Sequence, residues 1–434
     1  MIKARQDGVL LFVLAGAIFL AAGFIMLRDS ATPDFKGIYY GARCLLHRGD
    51  PYNKNDIRRI YDAEAWQRPP DPPDPRNFPF VMAQIYFPSA LVLALPFVGL
   101  AWGPAHFLWM GAVVVSFLLA AFLAWDLAAD YAPILSACLI GYIVVNSLVL
   151  FTSGNPAGIA VSLCVIAAWC FLRERFIVAG VLCLAVSLAL KPHDAGLIWL
   201  YFLLAGGAQR KRALQSLVIV AALVMAGSIW VSHVAPHWIP EIRANFAEDQ
   251  QHDSIDDPNP NSTYAHTAST IIDLQSVVSF FRNDPRVYNP ISYLVVGTLL
   301  LVWLIPTIRS RSSHATALLA LAPIIALTML PVYHRACDAK LLMLAVPACC
   351  LLIAEGGLLA SLAALLSVSA IVLTGDIPLV VLLNLSDHIR LSATELPVAL
   401  FKIAIVRPVP LALLAMTIVN LLVYARRARQ SERP

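Results

Sequence analysis

Long uncharged apolar runs alternate with short polar connectors along nearly all of the 434 residues. Runs that suit membrane helices fall at 9–27, 105–125, 132–150, 156–172, 176–190, 195–208, 213–233, 291–308, 315–331, 341–354, 358–374 and 406–424. Those at 176–190 and 195–208 are short, and removing both leaves the sidedness of the others unchanged. A thirteenth run, 86–101, carries Pro88 and Pro96 and holds about 16 residues, short of the roughly 20 a span needs. The first run ends in Met26-Leu27-Arg28 without a small-x-small cleavage pattern, so it reads as a retained anchor.

Basic residues prefer the cytoplasmic side of a membrane. The connectors with Lys3/Arg5, Arg173/Arg175, Arg210-Lys211-Arg212, Arg309/Arg311 and the tail Arg426-Arg427, Arg429, Arg433 hold 13 basic residues against Asp7, Glu174 and Glu432. If 86–101 crossed the bilayer, the Arg210-Lys211-Arg212 connector and its two neighbours would lie outside. If it does not cross, every basic connector falls inside. The pattern therefore predicts an all-α polytopic protein of about twelve spans with both termini cytoplasmic, and 86–101 as an interfacial or re-entrant helix on the outer face.

In this reading 1–27 is the first anchor and 28–104 a first outer loop with interfacial helices. Core helices occupy 105–233, a second outer loop 234–290, and C-terminal helices with a basic tail 291–434. The turns 152–155 and 191–194, the segment 333–340 and the loop 375–405 also fall outside. Every polar cluster other than a plain basic anchor lies on that one face, which points to an enzyme or receptor working there.

Composition agrees: 59% of residues are hydrophobic and 13% charged, and the mean hydropathy is +0.73. A water-soluble fold would have to expose most of its apolar side chains. Of the charged residues, 17 lie between Arg28 and Arg76 and 11 between Glu241 and Arg286, inside the two outer loops. A net charge of +4 is small and scattered, and no basic and aromatic interleaving points to nucleic acid. The eight cysteines show neither zinc-ligand spacing nor a disulfide framework; only Cys44 and Cys337 could face an oxidising compartment together. The span centres lack Asp, Glu, Lys and Arg, which disfavours a lipid or polysaccharide transporter or flippase. A non-catalytic membrane scaffold is the other alternative; it predicts that replacing Asp34 changes nothing.

The sharpest local pattern follows the first span. Ile38, Ala42 and Leu45-Leu46 recur at helical spacing, so an amphipathic helix should lie on the membrane surface until Gly49-Asp50-Pro51 stops it. Asp34 precedes that helix, at the level of the lipid head groups.

Asp34, Tyr39-Tyr40 and Leu45-Leu46-x-x-Gly49-Asp50-Pro51-Tyr52 together resemble glycosyltransferase family 87. The resemblance continues through Tyr86-Phe87-Pro88, Leu95-Pro96-Phe97, Gly154-Asn155, Leu190-Lys191-Pro192, Gln275-Ser276, and Tyr333-His334 with Asp338. It departs from the family at Asn155, where Gln is frequent, and at Leu274, where Asn is expected. It implies a GT-C fold and transfer of mannose or another hexose from a polyprenyl-phosphate donor to a lipid- or glycan-linked acceptor, on the outer face of the plasma (inner) membrane. In that fold seven core helices reach the second large outer loop; the parity count also gives seven.

A phosphate leaving group departs as a stable anion, so a single carboxylate suffices, unlike the pair a glycosidase needs. Asp34 is the expected base toward the acceptor hydroxyl, and inversion follows from one displacement. Lys191, His193, Arg335 and Lys340 are the candidates to hold donor phosphate, and His334, oriented by Asp338, is a second catalytic candidate. Tyr39, Tyr40, Tyr52, Asn155, Gln275 and Asp338 are the substrate-binding candidates, with Trp66 and Tyr86 as further sugar platforms. No cofactor and no metal is expected, because basic side chains can handle a phosphate; Asp34, His334 and Asp338 are the conceivable metal set.

Each residue also has a plainer reading. A loop Asp is usually solvated, lysines at span ends snorkel, and interfacial aromatics anchor. The acidic stretch from Glu248-Asp249 to Asp256-Asp257 reads as a solvated loop ended by Pro258-Asn259-Pro260. Asn261-Ser262-Thr263 is a sequon that matters only in a eukaryotic secretory host.

Overall fold

A computed structural model describes residues 2–27, 32–65, 84–254, 256–259, 271–310, 313–388 and 396–431. Arg28, Trp66, the sequon Asn261-Ser262-Thr263, Arg311, Glu432 and Arg433 lie outside these residues. The secondary-structure elements of the described residues are all helices, apart from an isolated bridge between Ile271 and Arg335. α1 (Ile2–Leu27) leads to α2 (Pro33–Leu46), α3 (Lys54–Ala63) and α4 (Pro88–Val98). Then follow α5 (Trp102–Ala128), α6 (Pro133–Val145), α7 (Val149–Ser153), α8 (Ala157–Leu172), α9 (Ile177–Leu190), α10 (Pro192–Leu204) and α11 (Gly207–Val234). α12 (Trp238–Asp249) and α13 (Gln275–Phe281) belong to the second polar loop, before α14 (Pro285–Arg309) and α15 (His314–Thr328). The 3-10 helix Asp338–Ala345, α16 (Val346–Glu355), α17 (Leu358–Leu373), α18 (Asp376–His388), α19 (Leu396–Val406) and α20 (Pro408–Ser431) complete the chain.

Six described segments are long and apolar enough to cross a membrane: Ile2–Leu27, Trp102–Ala128, Pro133–Ser153, Gly207–Val234, Pro285–Arg309 and Pro408–Gln430. A seventh counts if Leu358–Leu373 and Asp376–Leu382, bent by 75°, form one span. The remaining apolar runs give shorter helices. α8, α15 and the 3-10 helix are walled almost entirely by protein, where a helix need not match the bilayer thickness. The run 86–101 forms the 11-residue α4, too short to span.

Packing follows side-chain size. α1 has apolar residues all round, and its buried positions are Gly8, Ala15, Gly16, Phe19 and Gly23, so it presses closely on α6. The space a Cβ on Gly23 would need is filled by the Phe151 ring. Val9, Leu10, Val13, Val218, Met225, Leu294 and Leu301 face outward on α1, α11 and α14, as a lipid-facing surface requires. The described cysteines are free thiols, Cys44 and Cys337 included.

Charge marks the two ends of the bundle. At the C-terminal end of α5, Asp126 pairs with Arg5 at 2.6 Å and Asp130 with Arg173 at 2.7 Å, and Trp169 Nε1 donates to Asp126 at 3.0 Å. These join the connectors that the basic pattern groups on one side. At the other end of α5, Phe35 of α2 packs on Trp102, His106 and Trp109. The helical rise between those positions separates the ends by about 30 Å.

Candidate active site

Pro33 opens α2 and puts Asp34 in its first turn. The expectation of a helix lying on the membrane surface is corrected by burial: nearly every residue from Phe35 to Leu45 is covered by protein. Tyr39 donates its hydroxyl to the Leu100 carbonyl at 2.9 Å, and Arg43 donates to the Val98 carbonyl at 2.6 Å and pairs with Glu64 at 2.8 Å. Gln84 donates to the Gly37 carbonyl at 2.9 Å across the face of Gly41, where a Cβ would meet the amide. α2 is thus clamped along its length, and Asp34 has a fixed position.

Asn155 Nδ2 donates to Asp34 Oδ2 at 2.8 Å, while Asn155 Oδ1 accepts from the Ala157 backbone at 2.8 Å and so fixes the turn that leads into α8. The turn that delivers Asn155 requires Gly154 at φ +62°, and a Cβ there would lie 3.0 Å from that of Phe35. Burial raises the Asp34 carboxyl above its ordinary range, opposed by the Asn155 hydrogen bond and the charges of Arg335 and Lys191.

Lys191 lies in the break between α9 and α10, ahead of Pro192. Its ammonium donates to Asp338 Oδ1 at 2.5 Å and stands 3.7 Å from Asp194 Oδ2. Both carboxylates are buried, so the lysine neutralises charge that water cannot reach.

Backbone pairing brings the second polar loop to the segment after α15. Ile272 N donates to the His334 carbonyl at 2.9 Å and Leu274 N to the Leu330 carbonyl at 3.0 Å. Gln275 is thereby placed beside Pro331 and donates to Asn289 at 2.6 Å. His334 Nδ1 meets the Val332 carbonyl at 2.7 Å, and its Nε2 faces Asp194 Oδ1 at 3.3 Å. The carboxylate opposite His334 is therefore Asp194, whereas Asp338 is engaged by Lys191 and by the Arg335 backbone at 2.7 Å. Burial disfavours the charged form of His334, but Asp194 and Asp338 outweigh it and raise its affinity for a proton.

The acidic stretch is only in part the solvated loop its composition suggests: Glu248, Gln251, His252 and Asp253 are exposed, whereas Asp256 and Asp257 are covered. Asp256 pairs with Arg335 at 2.8 Å, and Arg335 also donates to the Tyr333 hydroxyl. Asp257 is buried and accepts from the Asn259 backbone at 2.9 Å. Burial and the neighbouring Asp256 and Glu248 push the Asp249 carboxyl up to about 7.

One cavity of about 310 Å³ gathers these elements. Asp34, Asn155, Lys191, His193, Asp249, Asp256, Gln275, Asn289 and Tyr333 line it, with Tyr86, Phe87, Phe246 and Tyr293 as aromatic wall. Five of the sequence candidates besides Asp34 are therefore on its surface: Tyr86, Asn155, Lys191, His193 and Gln275. His334 sits behind His193, their rings edge to face at 4.9 Å. Arg335 reaches the wall through Asp256 and Tyr333, and Asp338 through Lys191.

Other candidates lie away from it. Lys340 donates to the Asn146 carbonyl at 2.6 Å and to Asp376 at 3.0 Å. Tyr39 and Tyr40 pack on Trp102, and Tyr52 donates to the Tyr86 carbonyl at 2.8 Å. Sequence reasoning passed over Asp194, Asp249 and Asp256. The first stands in the turn with Lys191 and could have been noticed; the other two looked like ordinary loop charge.

Residues 85–333 match the family model of glycosyltransferase family 87. No curated protein and no solved structure matches the chain.

Proposed function

Because the chain belongs to glycosyltransferase family 87, and is thereby a multi-pass membrane glycosyltransferase, we propose that it moves mannose or another hexose from a polyprenyl phosphate to a lipid- or glycan-linked acceptor. The observation that carries this reading is that Asp34 and Lys191, 157 positions apart, face one cavity. An acid fixed by Asn155 and a cation beside it are what an inverting displacement needs. Asp34 takes the proton of the acceptor hydroxyl as that oxygen attacks the anomeric carbon. The bond to phosphate breaks on the opposite face, and Lys191 and His193 meet the charge that grows there, with Arg335 adding its field from behind Asp256 and Tyr333. Gln275 and Asn155 position the substrates. His334 does not touch them; it is a positioning residue behind His193. Lys340, tied to Asp376, fixes the 3-10 helix rather than the phosphate.

We place the reaction on the outer face and both termini in the cytoplasm. The support is that Arg5 and Arg173, from two of the basic connectors, meet Asp126 and Asp130 at the far end of α5 from Asp34. The shorter buried helices complete about twelve crossings of a GT-C fold. The test uses membranes that contain wild type or Asp34→Asn, supplied with labelled polyprenyl-phosphate sugars. The variant should lose about 10²–10⁴-fold in transfer; equal transfer by both removes Asp34 from the mechanism.

A further inference from the structure

We propose that His193, Asp194 and His334 form a divalent-cation site, suited to zinc, at the back of the cavity. Their ligand atoms lie within 4.8 Å of one another. Asp194 Oδ1 is 3.3 Å from His334 Nε2 and 3.8 Å from His193 Nε2. Nitrogen and oxygen ligands of a tetrahedral zinc stand about 3.4 Å apart, so small side-chain shifts close the set.

The tautomer of His334 supplies the second reason. Its Nδ1 meets the Val332 carbonyl, which only accepts, so that nitrogen carries the proton. Without a metal, Nε2 is where the proton drawn by Asp194 sits; once that proton leaves, Nε2 presents a lone pair to Asp194 Oδ1, so a metal ion would compete with the proton at this atom. His334 Nε2 and Asp194 Oδ2 are both buried without a hydrogen-bond partner, and their residues are almost wholly inaccessible to water. The Asp194 oxygen that faces Nε2 is Oδ1, at 3.3 Å, while Oδ2 stands 3.7 Å from the Lys191 ammonium; a cation between Nε2 and Oδ1 would satisfy both atoms. A ring nitrogen held by a backbone carbonyl is also the usual support of a metal-bound histidine.

Charge balance points the same way. On and directly behind the cavity wall, the carboxyls of Asp194, Asp256 and Asp338 meet two cations, Lys191 and Arg335, with Asp34 and Asp249 beside them, both drawn toward the protonated form by burial. A phosphate-bearing ligand would add to that negative excess. A divalent ion on His193, whose side chain is 36% exposed, would offset it from the cavity side. Three protein ligands would leave the fourth position toward the cavity, where a phosphate oxygen could complete the set. The ion site stands on this geometry; its use in sugar transfer rests on the reading above.

The full-length chain is purified in detergent, stripped with chelator and equilibrated with zinc against a competing chromophoric chelator, with cobalt as a spectroscopic probe of tetrahedral ligation. Wild type should retain about one zinc per chain. His193→Gln and His334→Gln should each lower zinc affinity at least ~10-fold and abolish the tetrahedral cobalt absorption. His193→Gln changes a partly exposed side chain, so its metal-free melting temperature should match that of wild type. Wild type holding no more zinc than the double histidine variant overturns the site, as does zinc binding undiminished by His193→Gln. Zinc bound normally by Asp34→Asn, in a chain that no longer transfers sugar, supports both the site and the transferase reading. Zinc bound by a wild type that transfers no sugar keeps the site and removes the transferase reading.

Discussion

Asn155 Nδ2 donates to Asp34 Oδ2 at 2.8 Å, joining the first turn of α2 to the turn ahead of α8 across 121 positions of sequence. The bond favours the ionised carboxylate in a place where burial favours the acid.

Sugar transfer should therefore fall toward low pH with a midpoint above the ordinary carboxylate range of about 4. The base must be ionised, so activity is present above the raised value and lost below it. Arg335, Lys191 and Asp256 are the charged groups that act on it. Asn155→Ala removes a hydrogen bond to a charged group worth about 1.5–3 kcal/mol. The acid limb of kcat/KM should move upward by about one pH unit or more. An unmoved limb would mean that another group controls it.

Lys191→Met leaves the buried Asp338 and Asp194 carboxylates unneutralised. Stability should drop by about 3–5 kcal/mol, read as a lower melting temperature in detergent. Adding Asp338→Asn should restore part of that loss without restoring transfer. Full recovery of transfer in the double variant would show that the ammonium does nothing for the substrate.

Gly154→Ala forces a Cβ onto a left-handed residue and into contact with Phe35. Backbone strain alone should cost about 1–2 kcal/mol. The shift of Asn155 away from Asp34 should lower kcat more than it alters KM for the donor. Unchanged kcat with a lowered melting temperature would separate the turn from catalysis.

Lys340→Met should destabilise the chain, because Asp376, which also accepts from the Val149 backbone at 2.7 Å, loses its cation. The KM for the donor should stay at the wild-type value. A raised KM at unchanged stability would return Lys340 to the phosphate.

Much of the architecture could be read from the chain because hydropathy and basic residues respond to the bilayer locally. The connectors of Arg5 and Arg173, grouped on one side by charge, do meet at Asp126. The number of full-length spans was less legible: a run such as 156–172 is as apolar as a lipid-facing helix, yet protein surrounds it. Asp34 stood out by its place just after an anchor. Asp256 did not, since its partner Arg335 is 79 positions away and a charged loop residue shows no sign of burial before the chain folds. Tyr39 and Tyr40 show the reverse error: aromatic pairs at an interface suggest a sugar platform, and here they are packing against Trp102.

The cavity draws its wall from segments between Asp34 and Tyr333, with Asp338 holding Lys191 from behind. During synthesis the acid therefore leaves the ribosome some three hundred residues before the last groups that surround it. Until then its helix has no Arg335 and no Lys191–Asp338 pair beside it. A nascent chain arrested before residue 338, or a truncated gene product ending there, would insert most of its helices and still possess no reaction chamber.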